Sequence, residues 1–204
     1  MKSVWAFDIG ASNGRLILNS FDGERMYTKE IYRFTNLAVS VTNNYYWDVL
    51  NIFTQMKTAI RTSVQQGHKV ESMGIDTWGV DFGLLASNGE LLTNPYSYRN
   101  PKNKMGMERA LQNITSENLF QKTGVETAPI NTLFQLFTLK TEHPHLLEMA
   151  DQLLLMPNLL AYFFCGEKNN EFTISTTTQL LNPQSTDWDS SILEFLQIDR
   201  KILA

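Results

Sequence analysis

The chain opens with apolar and polar positions in a pattern that predicts strands. Ser3 to Ile9 (SVWAFDI) is rich in strand-forming residues, and the cluster Gly10-Ala11-Ser12-Asn13-Gly14 predicts a turn. Arg15 to Ser20 follows as a second strand, Asp22-Gly23 signals a hairpin, and Met26 to Phe34 alternates as a third. The period then changes. Trp47 to Gln66 carries Val49, Phe53, Met56, Ile60 and Val64 at helical spacing, with Gly67 as a stop. Val70 to Ile75 is expected as a buried strand, and Val80 to Ala86 as another, closed by Asn88-Gly89.

Beyond this point helices dominate. Lys102 to Asn113 and Ser116 to Lys122 have helical patterns, with Thr115 placed to cap the second and Gly124 to stop it. Asn131 precedes a helix expected over Thr132 to Glu142 and ended by Pro144. Gln152 to Met156 reads as a short strand, Asn158 to Cys165 as a short buried helix stopped by Gly166, and Ser190 to Leu196 as a last helix. Strands, a helix, two strands, then helices with one more strand imply an α/β fold with a mixed sheet, not a sandwich or a bundle.

Composition narrows the function. With 17 Lys+Arg against 21 Asp+Glu and no basic run, the chain lacks the charge pattern of a nucleic-acid binder. A single cysteine, Cys165, rules out a disulfide framework within the chain and agrees with a reducing cytoplasm. The longest apolar stretch, Leu159 to Cys165, is far short of the ~18 residues of a spanning helix, and Asp8 interrupts the N-terminal apolar run. A cytoplasmic protein is expected.

Two segments could carry chemistry. In Asp8-Ile-Gly-Ala-Ser-Asn-Gly-Arg15, glycines at 10 and 14 would let backbone N–H groups converge on a bulky anion. Ser12 and Asn13 add donors, Arg15 a fixed positive charge, and Asp8 at the strand end could hold magnesium through water. The same spacing also suits a plain glycine-rich hairpin with a surface arginine. It is neither a Walker A loop nor a Rossmann turn, since no helix follows and no Gly-Lys-Ser/Thr occurs. In Gly74-Ile-Asp76-Thr-Trp78-Gly79-Val-Asp81-Phe-Gly83, a tryptophan offers a flat apolar face to a sugar ring, carboxylates accept from its hydroxyls, and Gly79 permits close approach. A tight turn around a buried tryptophan is the plainer alternative, and an acid–base carboxylate pair a third. His143 and His145 flank Pro144 without the partners of a metal site, and His68 follows a helix stop. Cys165 beside Phe163 and Phe164 reads as packing. Tyr98-Arg99 is either a substrate contact or a surface pair.

Together these two segments resemble the FGGY family of carbohydrate kinases. The likeness extends through Arg33-Phe34-Thr-Asn36, Tyr46-Trp47-Asp48, Pro95-Tyr96-Ser-Tyr98-Arg99, Thr123-Gly124, Asn131-Thr-Leu-Phe-Gln-Leu136, Leu155-Met-Pro157 and Thr176-Thr-Thr-Gln-Leu180. The resemblance implies an actin/RNase H-like fold of two such domains, with residues 1–204 forming most of the first. It implies transfer of the γ-phosphate of ATP, with magnesium, to O1 of a ketose. Asp-Thr-Trp-Gly-Val-Asp-Phe points to L-rhamnulose as that ketose. On this reading Ala11, Ser12, Asn13, Gly14 and Arg15 form the phosphate-binding turn, and Asp8 lies near the metal. Gly79, Asp76, Trp78 and Asp81 belong to the sugar site. Asn13 stands where the family often has Ser, and Asn100 and Asn158 stand where acids are frequent. The family's general base lies in a His-Asp-x-x-x-Ala segment expected beyond residue 204, so no catalytic base is assigned here and this stretch alone is expected to be inactive. An uncovered cleft face would favour self-association. Two other readings stay open: a non-catalytic sugar-binding module, and an RNase H-like nuclease with Asp8, Asp76 and Asp81 around two metals.

Overall fold

A computed structural model describes residues 2–203. In chain order the elements begin with β1 (Lys2–Ile9), β2 (Asn13–Phe21), β3 (Met26–Thr35), β4 (Val39–Val41), β5 (Asn44–Tyr46), α1 (Val49–Gln65), β6 (Ser72–Thr77) and β7 (Phe82–Leu85). They continue with α2 (Lys102–Ala110), α3 (Ser116–Thr123), α4 (Thr132–Glu142), α5 (Pro144–Met149), β8 (Gln152–Leu155), α6 (Met156–Cys165) and α7 (Phe172–Ser175). A 3-10 turn (Thr176–Thr178), the small β9 (Leu181–Asn182) and β10 (Asp187–Trp188), α8 (Ser190–Leu196) and a second 3-10 turn (Arg200–Leu203) close the sequence of elements. Two compact units result: residues 2–39 with 47–78, and residues 40–46 with 79–203. No helix among the described residues is long and apolar enough to cross a membrane.

The first unit is a four-stranded sheet in the order β3-β2-β1-β6, with α1 on one face. β1 pairs antiparallel with β2 and parallel with β6, which makes the sheet mixed. Strand alternation sends Phe7, Ile9, Leu16, Leu18 and Phe34 into the core. Asp48 caps α1 by accepting from the Asn51 N–H. The buried stripe of α1 is Val49, Ile52, Met56, Ala59 and Ser63, rotated from the expected one, and Val64 is exposed. Ala59 and Ser63 are small enough to let the helix lie close to the sheet, and the Ser63 hydroxyl accepts from Trp5 Nε1 at 2.8 Å. β6 was expected to be buried, but as an edge strand it exposes Ser72, Gly74 and Asp76.

Gly14 was expected to serve an anion, but its place in the sheet gives it a different reason. It is buried, on the core face, and an added Cβ would lie 2.3 Å from Cζ of the Phe34 ring. It is glycine because the ring crosses it. A Cβ on Gly10 would make only an ordinary 3.4 Å contact with the Asn13 carbonyl.

In the second unit, β7 and β8 pair antiparallel, fully buried along their length. Leu84, Leu119, Leu133, Phe134, Leu153 and Ile192 are among the residues that fill the core around them. Thr115 and Gly124 cap α3 as expected, the first accepting from Asn118 N–H and the second adopting φ 69°. Pro144 opens α5 instead of only ending α4, because its missing N–H would be unsatisfied in a first helical turn anyway.

Gly14→Ala should therefore destabilise the chain by about 1–3 kcal/mol, the usual cost of overpacking. Phe34→Leu in the Gly14→Ala background should recover part of the loss in urea unfolding. An unchanged unfolding midpoint for Gly14→Ala would contradict the packing explanation.

Candidate functional site

The register places one charged residue from each strand of the first unit in a row. Arg33 lies opposite Arg15, Arg15 opposite Asp8, and Asp8 beside Asp76. Residues directly opposite share a face, so the row lies on the side away from α1. Arg15 donates from Nε (2.8 Å) and Nη2 (2.6 Å) to the same oxygen of Asp8, Oδ2. Arg33 donates from Nε to Glu30 Oε1 at 2.9 Å and from Nη2 to Oε2 at 2.5 Å. Glu30 and Arg33 would ordinarily fall on opposite faces, being three apart. A β-bulge prevents this: Tyr32 pairs with Leu16 and Glu30 with Ile17, leaving Ile31 as the extra residue. Arg33 holds the Glu30 carboxyl below the usual glutamate range, and Glu30 in turn raises the guanidinium.

The turn at the end of this row is pinned from below. Gly10 N–H donates to the Asn13 carbonyl (2.8 Å), Asn36 N–H to the Ser12 carbonyl (2.9 Å), and Asn36 Nδ2 to the Gly10 carbonyl (2.8 Å). Asn36 is buried, and its role is invisible in the local pattern. Ser12 and Asn13 are exposed, while Arg15 and Asp8 are half-buried. Ala11 to Arg15 and Asp8 are thus brought together at the end of β1 and the start of β2.

The second segment is divided between the two units after Trp78. On the first side, Asp76 is exposed at the end of β6, and Trp78 packs its ring 4.2 Å from that of the buried Trp47. On the second side, Gly79 is forced to be glycine, since a Cβ would lie 2.9 Å from Thr177 Oγ1. Val80 adopts φ 69°, which is strained for a β-branched residue. Donors and acceptors hold it there. Its N–H donates to Thr177 Oγ1 (3.1 Å), and its carbonyl accepts from Thr132 Oγ1 (2.6 Å). Thr132 and Thr177 lie in two of the segments that carry the family resemblance, but sequence reasoning gave neither a role.

Asp81 was expected to offer its carboxylate to a ligand. It is 1% exposed, and its oxygens accept from Gln135 Nε2 (2.7 Å) and the Tyr98 N–H (3.1 Å). A group so placed braces β7 against α4 and the Tyr98 loop. It cannot act as a solvent-facing carboxylate of a nuclease triad. Asn131 occupies its expected position before α4 without capping it, donating instead to the Glu126 carbonyl and to Gln179 Oε1.

The remaining residues of interest have ordinary partners. His143 stacks on Tyr96, and Arg99 lies over the Tyr98 ring. A cavity of about 20 Å³ lined by Asn44, Tyr96, Lys102, Glu142 and His143 has room for a water molecule, not a sugar. No group of three or more metal-ligating side chains comes together among the described residues. Asp8 nevertheless fits a water-mediated magnesium contact: both Arg15 bonds go to one of its two oxygens, and magnesium commonly keeps several waters.

Known proteins resemble this chain in sequence and in fold. The model of the FGGY family of carbohydrate kinases, N-terminal domain, matches residues 3–204. A rhamnulokinase of Oceanobacillus iheyensis is 38% identical over 191 residues, covering 94% of this chain and 41% of that protein. A rhamnulokinase of Yersinia pestis is 40% identical over 192 residues, covering 93% and 40%. Among solved structures, a ligand-bound xylulose kinase from Lactobacillus acidophilus superposes with a TM-score of 0.88 at 19% identity, covering 100% of this chain and 41% of that one. Plasmodium falciparum glycerol kinase with ADP gives 0.80 at 12% identity, covering 100% and 42%. The chain thus spans about two-fifths of the length of these proteins.

Two outcomes are expected. Asp81→Ala should cost about 1–3 kcal/mol in urea unfolding, because buried donors lose their acceptor. Asp76→Ala should stay within about 0.5 kcal/mol, as for other exposed positions; equal losses would contradict the assignment. The second concerns pH. A carboxyl whose folded value is lowered stabilises the fold above its ordinary value and loses that contribution as pH falls through the lowered one. A carbon-detected titration of Glu30 should give a midpoint below the usual glutamate range, restored to it by Arg33→Met. A midpoint already ordinary in the parent chain would show that the ion pair does not persist in solution.

Proposed function

The chain belongs to the FGGY family of carbohydrate kinases, and we propose that it forms the N-terminal part of an ATP-dependent kinase that phosphorylates L-rhamnulose at O1. The observation that carries this reading is the pinned turn from Ala11 to Arg15, set beside the Asp8–Arg15 pair on the sheet face away from α1. The choice of sugar is supported by the relatives named rhamnulokinase and by the segment from Asp76 to Phe82.

Phosphoryl transfer asks a protein mainly for positioning and charge neutralisation. In this reading Ser12, Asn13 and the backbone of the turn hold phosphate oxygens, and Arg15 supplies a positive charge oriented by Asp8. Asp8 would hold magnesium through water, and the ion would neutralise part of the triphosphate charge. Asp76, Trp78 and Gly79 would contact the sugar. Asp81 supports that segment from inside by fixing the backbone that follows Gly79. These residues bind and orient; the general base and the domain that closes over ATP belong to the part of the family's longer members that these residues do not cover.

Amide shift mapping on the labelled chain tests this reading. Magnesium-ATP should move the amides of residues 11–15, L-rhamnulose those of residues 76–79, and Arg15→Met should abolish the first effect. A coupled assay with both should release no ADP above background, since water exclusion and base catalysis are incomplete. Shifts confined to other surfaces, or turnover in the ordinary range of ~1–10³ s⁻¹, would contradict the proposal.

A further inference from the structure

We infer that Arg33 is a positioning residue: it locks the side-chain amide of Asn13 so that the turn presents a donor to an incoming phosphate. This rests on the phosphate-binding reading of the turn and adds to it a residue outside the turn. A primary amide has an oxygen that only accepts and a nitrogen that only donates, on arms of nearly equal shape. Unrestrained, an exposed asparagine offers an anion either arm. Arg33 Nη1 lies 2.7 Å from Asn13 Oδ1. A guanidinium carries donors alone, so a flipped amide would set donor against donor. The oxygen is held toward β3, and Nδ2 faces the other way.

Arg33 can do this because it is itself fixed. Two arginines face each other across β2 and β3, an arrangement that repels. Each has its own carboxylate: Asp8 takes Arg15, and Glu30 takes Arg33 through two bonds. The bulge at Ile31 is what brings Glu30 to that face. With its charge countered by Glu30, Arg33 acts on an anion through Asn13 more than through its own field.

A double-mutant cycle separates the two modes of action. The probe is inorganic tripolyphosphate, titrated into the chain and followed by the turn amides. Arg33→Met and Asn13→Ala should each weaken binding about ten- to a hundredfold, the worth of one hydrogen bond to a charged group. Combined, they should weaken it no more than Asn13→Ala alone. Arg33→Lys, which keeps a donor, should recover part of the loss. If Arg33→Met costs the same factor with and without Asn13, Arg33 acts by charge and the inference falls while the phosphate turn stands. If tripolyphosphate leaves the amides of residues 10–15 of the parent chain unmoved, the phosphate reading falls and takes the inference with it.

Discussion

The parity of β1 and β2 is the constraint on which the first unit depends. Phe7, Ile9, Leu16 and Leu18 point into the core, which leaves Asp8 and Arg15 on the opposite face and directly across from each other. A slip of one residue would bury both charges and expose the apolar set. Core packing and the placement of charge are therefore one decision. The extension of the same pairing to β3 and β6 adds Arg33 and Asp76 to the row. The ring of Phe34 lying over Gly14 seals the core side of the turn.

The second unit depends on a buried charge. Removing Asp81 from water is costly unless its oxygens are met, and they are met by Gln135 and the Tyr98 N–H. Beside it Val80 holds a left-handed conformation between Thr177 and Thr132. Strain of about 1–3 kcal/mol persists only where the surroundings over-determine it. Helix α4 and the turn after α7 supply that determination, which explains why Asn131 to Gln135 and Thr176 to Gln179 stand out in the sequence without being near a motif. They hold the backbone of one.

Long elements were legible because their periods repeat: β1, β2, β3, α1, α3 and α4 follow from alternation, helical spacing and caps. What was not legible rests on contacts between distant residues. Gly14 and Gly79 look like ligand-approach glycines in one dimension, yet Phe34 and Thr177 are what require them. The stripe of α1 was misjudged because apolar bulk marked Val64, whereas the sheet selected the small Ala59 and Ser63. The carboxylates Asp76 and Asp81 are alike in sequence and opposite in exposure, since one ends an edge strand and the other begins a buried one. The short β4, β5, α7, β9 and β10 carry too few residues for a period to show. The bulge at Ile31, and with it the Glu30–Arg33 pair, has no local signature either.

The most direct measurement of the central claim is a co-crystal structure of the protein with a non-hydrolysable ATP analogue, magnesium and L-rhamnulose. The account predicts phosphate oxygens within hydrogen-bond distance of the 11–15 turn and Asn13 Nδ2, with Arg15 still paired to Asp8. Phosphates bound away from that turn, with Asn13 and Arg15 turned from them, would contradict it.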